Sequence, residues 1–144
     1  VSAAVLRTLA VRRVTGEHDL PADRYNDHVN NARYFAFVND AFQHWYVAMG
    51  VRGGMPERGM MMAHQELDFL SEIRPPAVVE VRIAVSRVGR TSMDHAIEIH
   101  DLGVGAQGPA RQAARGRAVH VWVDRATRQP TPWPVELLSK CWDG

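Results

Sequence analysis

The residues best suited to chemistry stand close together, where Asp23, Arg24, Asn26, Asp27 and His28 lead into Val29-Asn30-Asn31-Ala32-Arg33-Tyr34. Attack on an acyl carbon builds negative charge on the carbonyl oxygen. The unpaired backbone N–H groups at a helix N-terminus are preorganised to receive that charge. A water nucleophile also needs a carboxylate or imidazole within hydrogen-bond reach. His28, Asp23 and Asp27 are candidates, and Glu66 supplies a further carboxylate from elsewhere in the chain. Each residue has a structural reading beside this one. Asn30 and Asn31 are good helix caps, His28 could orient its loop, and Tyr34 and Phe35 suit a core.

A helix must position this cluster, and the sequence predicts one over Ala32 to Met49, stopped by Gly50 and Gly53-Gly54. Its polar positions Arg33, Asp40 and His44 share one stripe. Tyr34, Phe35, Phe37, Val38, Phe42, Trp45, Tyr46 and Met49 cover most of the remaining surface, so the helix is expected to be wrapped largely by protein. Alternating apolar residues predict strands over Val5 to Val14, Met60 to Ser71, Val78 to Val88, Ser92 to Asp101 and Ala113 to Asp124. Gly16 to Asp27 reads as a loop. Gly89-Arg90 suits a two-residue type II′ hairpin, and the prolines of TPWPVELLSK precede a short final helix. The order β-α-β-β-β-β fits one domain over residues 1–144, without repeats or linkers.

Composition narrows the function. Hydrophobic residues make up 46% and charged residues 23%, which suits a folded globule. A net charge of +1 with scattered arginines forms no basic stripe, so nucleic acid is not an expected partner. Cys141 is the only cysteine, which excludes an internal disulfide and points to a reducing, cytoplasmic setting. No apolar run is long enough for a membrane span, and the opening residues lack a signal-peptide core. Asp40 and His44 have no third ligand nearby. The other histidines, His18, His64, His95, His100 and His120, show no ligand spacing and read as surface or strand residues. Met60, Met61 and Met62 read as core filling, with an acyl-channel lining as the alternative.

The segment DRYNDHVNNARYFAFVNDAF resembles the signature of the 4-hydroxybenzoyl-CoA thioesterase-like branch of the hotdog superfamily, carried by His28 to Phe35 and Asp40-Ala41. Weaker likeness continues through Gln65 to Leu70, Val88 to Ser92 and the proline-rich exit. The resemblance implies an α+β hotdog fold, a five-stranded antiparallel sheet wrapped around a long central helix. It also implies homodimers or tetramers with active sites at the subunit interface, acting on acyl-CoA or acyl carrier protein (ACP) with no metal or cofactor. Asn31 stands where the oxyanion-binding amide of the family lies, with Asn30 and Tyr34 as further substrate contacts.

The family's carboxylate normally precedes the histidine by four residues, but Arg24 occupies that place, with Asp23 beside it, and Asp27 replaces the usual glycine. Asn26 matches the related motif of plant acyl-ACP thioesterases, which draws its acidic group from elsewhere and so brings in Glu66. The catalytic set is therefore Asp23, Asn26, His28 and Glu66, with the carboxylate left open. Two other functions stand beside hydrolysis. Asp23 and His28 have the spacing of hotdog enoyl-thioester hydratases, though the rest of that motif is missing, and Arg24 leaves open a non-catalytic acyl-CoA-binding protein.

Overall fold

The computed structural model describes residues 7–14, 28–50, 58–103 and 110–143. The elements are β1 (Arg7–Val14), α1 (Asn31–Ala48), β2 (Arg58–Phe69), β3 (Ala77–Val88), β4 (Ser92–Asp101), β5 (Arg111–Asp124) and α2 (Val135–Asp143). The strands form a five-stranded sheet in the order β1-β3-β4-β5-β2, with every neighbouring pair antiparallel. This is the predicted element order, with boundaries moved by a residue or two. β1 and β2 are the edges.

β4 shows how sequence sets the two faces. Met93, His95, Ile97, Ile99 and Asp101 are buried, while the residues between them are only partly so, the period-two alternation of a strand with one covered face. The same parity runs across the sheet, because directly paired residues project to the same side. One helix-facing row is Gln65, Ala118 and His95, and the next is Met62, His120 and Met93.

α1 starts at an Asn30 cap and ends at Met49, followed by Gly50 at φ 72°, a left-handed position that glycine occupies without steric cost. Tyr34, Phe37, Val38, Ala41, Phe42 and Trp45 are buried against the sheet. The helix backbone lies nearest β1 and β3. The expectation of a helix covered on most sides is corrected within one chain. Phe35 and Tyr46 are only partly buried, and Val47 is 58% exposed, because a single sheet covers a single stripe of a helix.

The β3–β4 connection is also corrected. A loop centred on Gly89-Arg90 would pair Val88 with Thr91, but Val88 pairs with Met93 and the Gly89 N–H donates to the Ser92 carbonyl at 2.8 Å, so the two loop residues are Arg90 and Thr91. Gly89 is not among the positive-φ glycines, so the type II′ requirement does not apply. Beyond β5 the chain turns back: Thr131 N–H donates to Trp122 O, and the Trp122 and Trp133 rings lie 5.3 Å apart.

Gly116 marks a close approach between β2 and β5. A Cβ there would lie 1.9 Å from the Glu66 backbone oxygen, so β2 and β5 cannot keep their spacing around a side chain. Gly116→Ala is expected to destabilise the fold by about 1–3 kcal/mol through enforced backbone shift. Urea denaturation checks this, and an unchanged midpoint would contradict it.

Candidate active site

The start of α1 is held from below. The Val29 side chain is fully buried, and its N–H donates to the Ile73 carbonyl at 2.8 Å, tying the segment before the helix to the stretch between β2 and β3. Asn30 is extended (φ −61°, ψ 135°), and its Oδ1 accepts from the Ala32 N–H at 3.0 Å. The Arg33 N–H donates to the Asn30 carbonyl at 2.8 Å. Those bonds use the second and third amides of the first turn. The Asn31 N–H has no partner among the described residues, and the first turn holds no acidic side chain, so the positive end of the helix is not neutralised within its own turn.

His28, three residues before Asn31, is part-buried, and its Nδ1 lies 3.0 Å from the Val29 carbonyl oxygen. A carbonyl only accepts, so Nδ1 carries the proton in that bond. In the neutral ring Nε2 then bears the lone pair, the tautomer a general base requires.

Of the remaining predicted residues, only Tyr34 and Glu66 lie among the described ones. Asp23 and Asn26, with Asp27, lie outside the described residues. Tyr34 is 2% exposed, and its hydroxyl donates to the Ser71 carbonyl at 3.3 Å, with its ring 5.1 Å from that of Phe69. Burial, the dominant cause, raises its pKa. These contacts anchor α1 to the end of β2.

Glu66 points to the other side of the sheet. Arg117, its directly paired neighbour on β5, is three residues from His120, and that odd separation reverses its face. Glu66 Oε1 accepts from Arg117 Nε at 2.5 Å and lies 3.2 Å from His64 Nε2, while Arg117 also reaches Asp94 at 3.4 Å. The Arg117 bond, then that of His64, holds this carboxyl below the usual carboxylate range, making it a weaker base. Within one chain, Glu66 therefore faces away from the helix start.

Sequence reading missed a buried polar cluster. His95 and His120, expected at surface or ordinary strand positions, are both fully buried under α1. The Tyr46 hydroxyl lies 2.6 Å from His120 Nε2, and His120 Nδ1 lies 3.4 Å from His95 Nδ1. Phe42 and Trp45 pack on both imidazoles, Trp45 at 4.5 Å from His95. Burial, reinforced by the neighbouring His120, lowers the His95 pKa to about 3, and burial alone lowers that of His120 to about 4. The signal was the strand parity of Met93-x-His95-x-Ile97 and Ala118-x-His120-x-Trp122. His64, by contrast, is exposed.

The methionine run is corrected in part. Met60 packs against the core, but Met61 is 54% and Met62 37% exposed on edge strand β2. Asp40 is half-buried and His44 exposed, and no group of three or more His, Cys, Asp or Glu among the described residues could hold a metal ion. No helix among them is long and apolar enough to cross a membrane.

The model of the thioesterase-like superfamily matches residues 14–141. A Pseudomonas aeruginosa protein classed among thioesterases is 25% identical, with TM-score 0.76, over 92% of this chain and 98% of that one. The 1,4-dihydroxy-2-naphthoyl-CoA thioesterase of Synechocystis is 15% identical, with TM-score 0.78, over 95% and 97% of the respective chains. A Thermus thermophilus thioesterase solved with coenzyme A and zinc is 23% identical, with TM-score 0.70, over 91% and 90%. The last two are alike in fold. No curated protein matches the sequence.

Proposed function

Because the chain belongs to the thioesterase-like superfamily, we propose that it is an acyl-CoA or acyl-ACP thioesterase acting in the cytoplasm as a single hotdog domain over residues 1–144, its five-stranded sheet wrapped around α1. The observation that carries this reading is the helix start, where the Asn31 N–H has no partner among the described residues and His28 presents Nε2 as a base. A thioester carbonyl set against that amide has its developing oxyanion stabilised by the N–H and the helix end. His28 takes a proton from water, directly or with a loop carboxylate, as the water oxygen attacks the carbonyl carbon. The C–S bond then breaks, and the proton passes to the departing thiolate, giving free acid and thiol. Asn30 caps the turn and keeps the amide in place.

Asp23 is the better-supported carboxylate. It lies in the chain leading to His28, whereas Glu66 is engaged by Arg117 on the opposite sheet face. The coenzyme A complex of the Thermus protein supports a CoA carrier. Thiol release from a panel of acyl-CoAs differing in chain length and aromatic character tests the proposal. Release from none of them, with binding retained, would leave an acyl-CoA-binding protein. Consumption of an enoyl thioester without thiol release would mark a hydratase.

The active unit is proposed to be at least a homodimer. Among the described residues β2 is an edge strand with unpaired backbone groups, and Met61, Met62, Phe69 and, just past its end, Leu70 are exposed at 37–54%, the kind of edge that a second copy covers. Light scattering at micromolar concentration is expected to give at least twice the chain mass. A monomer would contradict this.

A further inference from the structure

Under α1 the core contains polar atoms with no hydrogen-bond partner among the described residues. His95 is 0% exposed and its ring lies within reach of the Ala118 backbone, yet His95 Nε2 and Gln65 Nε2 are both buried without a well-made hydrogen bond among the described residues. They belong to one row. Gln65 and His95 are the direct cross-strand neighbours of Ala118, one on each side, and all three face the helix. Between two long polar side chains stands a single methyl group. Leaving buried polar atoms unpaired opposes folding, so a row that holds two of them has a use to be explained.

Hydrogen-bond direction narrows that use. Tyr46, His120 and His95 form a chain through the Tyr46 hydroxyl, both nitrogens of His120 and Nδ1 of His95. If Tyr46 donates to His120, each imidazole passes the donor role onward and His95 Nε2 ends the chain as an N–H. If Tyr46 accepts, the chain reverses and His95 Nε2 ends it as a lone pair. In either sense the open end is His95 Nε2, with the Gln65 amide N–H as a second group two strands away. A hydroxyl, which donates and accepts, complements both directions, whereas a carbonyl complements only one.

We propose that Gln65, Ala118 and His95 form a subsite, beneath α1, for a hydroxyl group carried by the acyl part of the substrate. This rests on the thioesterase reading and extends it to substrate class. The location suits the far end of an acyl group. The Leu70 and Ser71 amides bond the Ala113 carbonyl close to Ile73, which anchors the helix start. Ala118 lies four residues further along β5 from Ala114, or roughly 14 Å at strand spacing. A thioester at Asn31 would therefore place the end of a medium-length acyl chain at this row. α1 lies nearest β1 and β3, so its backbone does not roof the β2 side of the sheet.

The test compares ω-hydroxyacyl-CoAs with methyl-ended acyl-CoAs of matched length, from hexanoyl to dodecanoyl, on the full chain. At one length or more the hydroxylated substrate should be preferred about tenfold or better in kcat/KM, one well-made hydrogen bond being worth roughly that much. Gln65→Met keeps side-chain length and removes the amide. His95→Asn keeps a group near Nδ1 for His120 and removes Nε2. Both should collapse the preference ratio toward one. If His95→Asn fails to fold, Gln65→Met decides alone. No hydroxyl preference at any length, or one that survives the substitutions, would overturn the subsite and leave bound water as the partner of these atoms.

Binding is read separately from turnover, so loss of the thioesterase reading does not obscure the result. The Trp45 ring lies 4.5 Å from that of His95, and its fluorescence should respond more strongly to free ω-hydroxy acids than to the matching fatty acids. Trp45→Phe should abolish that response. Equal responses to both ligand series would count against the subsite even in an inactive protein.

Discussion

Replacing His28 by alanine is expected to lower kcat for thioester hydrolysis by about 10²- to 10⁴-fold, the usual loss for a positioned acid-base group, with the fold retained. Retention follows from location. The His28 ring bonds only its neighbour's carbonyl among the described residues, while the segment is held by the buried Val29 side chain and the Val29–Ile73 backbone bond. Asn26→Ala is expected to act in the same direction. Asp23→Asn and Glu66→Gln separate the carboxylates: the one that assists the water should lower kcat with KM little changed, because it acts mainly in the transition state. Asp23 is expected to show that loss. Glu66, drawn outward by Arg117 and His64, should move little, since an exposed ion pair contributes little. If Glu66→Gln were the damaging change instead, the site would have to draw on the Glu66 of a second copy. If all four variants kept wild-type turnover, the helix start would not be the active site.

Where sequence reading reached its limit is visible in these same residues. The helix and strands were legible because their periods are strong: Ser92 to Asp101 alternates along its whole length, and Gly50 supplies the left-handed residue that ends α1. The helix start was legible because Asn30 and Asn31 precede an apolar run. What a linear pattern does not carry is register. Glu66 and Gln65 are adjacent polar residues on one strand, and only the pairing of β2 with β5 shows that Gln65 faces the helix while Glu66 faces outward. The strand's place at the sheet edge, which exposes Met61 and Met62, depends likewise on topology. His95 and His120 are different in kind. Their inward parity could be read from Met93, Ile97, Ala118 and Trp122, but histidine is intermediate in burial, so residue type alone did not point to a buried pair.

Those two histidines make acid the condition to which the fold should be most sensitive. Both are held neutral by burial, at about 3 for His95 and about 4 for His120, whereas an unfolded chain protonates them near 6.5. The unfolded state therefore binds more protons over the interval between, so stability is whole above the unfolded value and falls as pH drops through it toward the folded values. Each imidazole contributes a slope of up to about 1.4 kcal/mol per pH unit in that window. Two sites acting together over the span from pH 6 to 4.5 would remove about 4 kcal/mol, a large part of the stability of a small domain. Urea midpoints measured between pH 7.5 and 4.5 should fall steeply below pH 6. Paired His95→Asn and His120→Gln changes should start lower at pH 7.5, having lost packing against Phe42 and Trp45, yet follow a flatter slope as the pH falls. Parallel curves for the wild type and the double variant would show that protonation elsewhere drives acid unfolding. A flattened slope would identify the polar pair beneath α1 as the groups that limit the fold in acid.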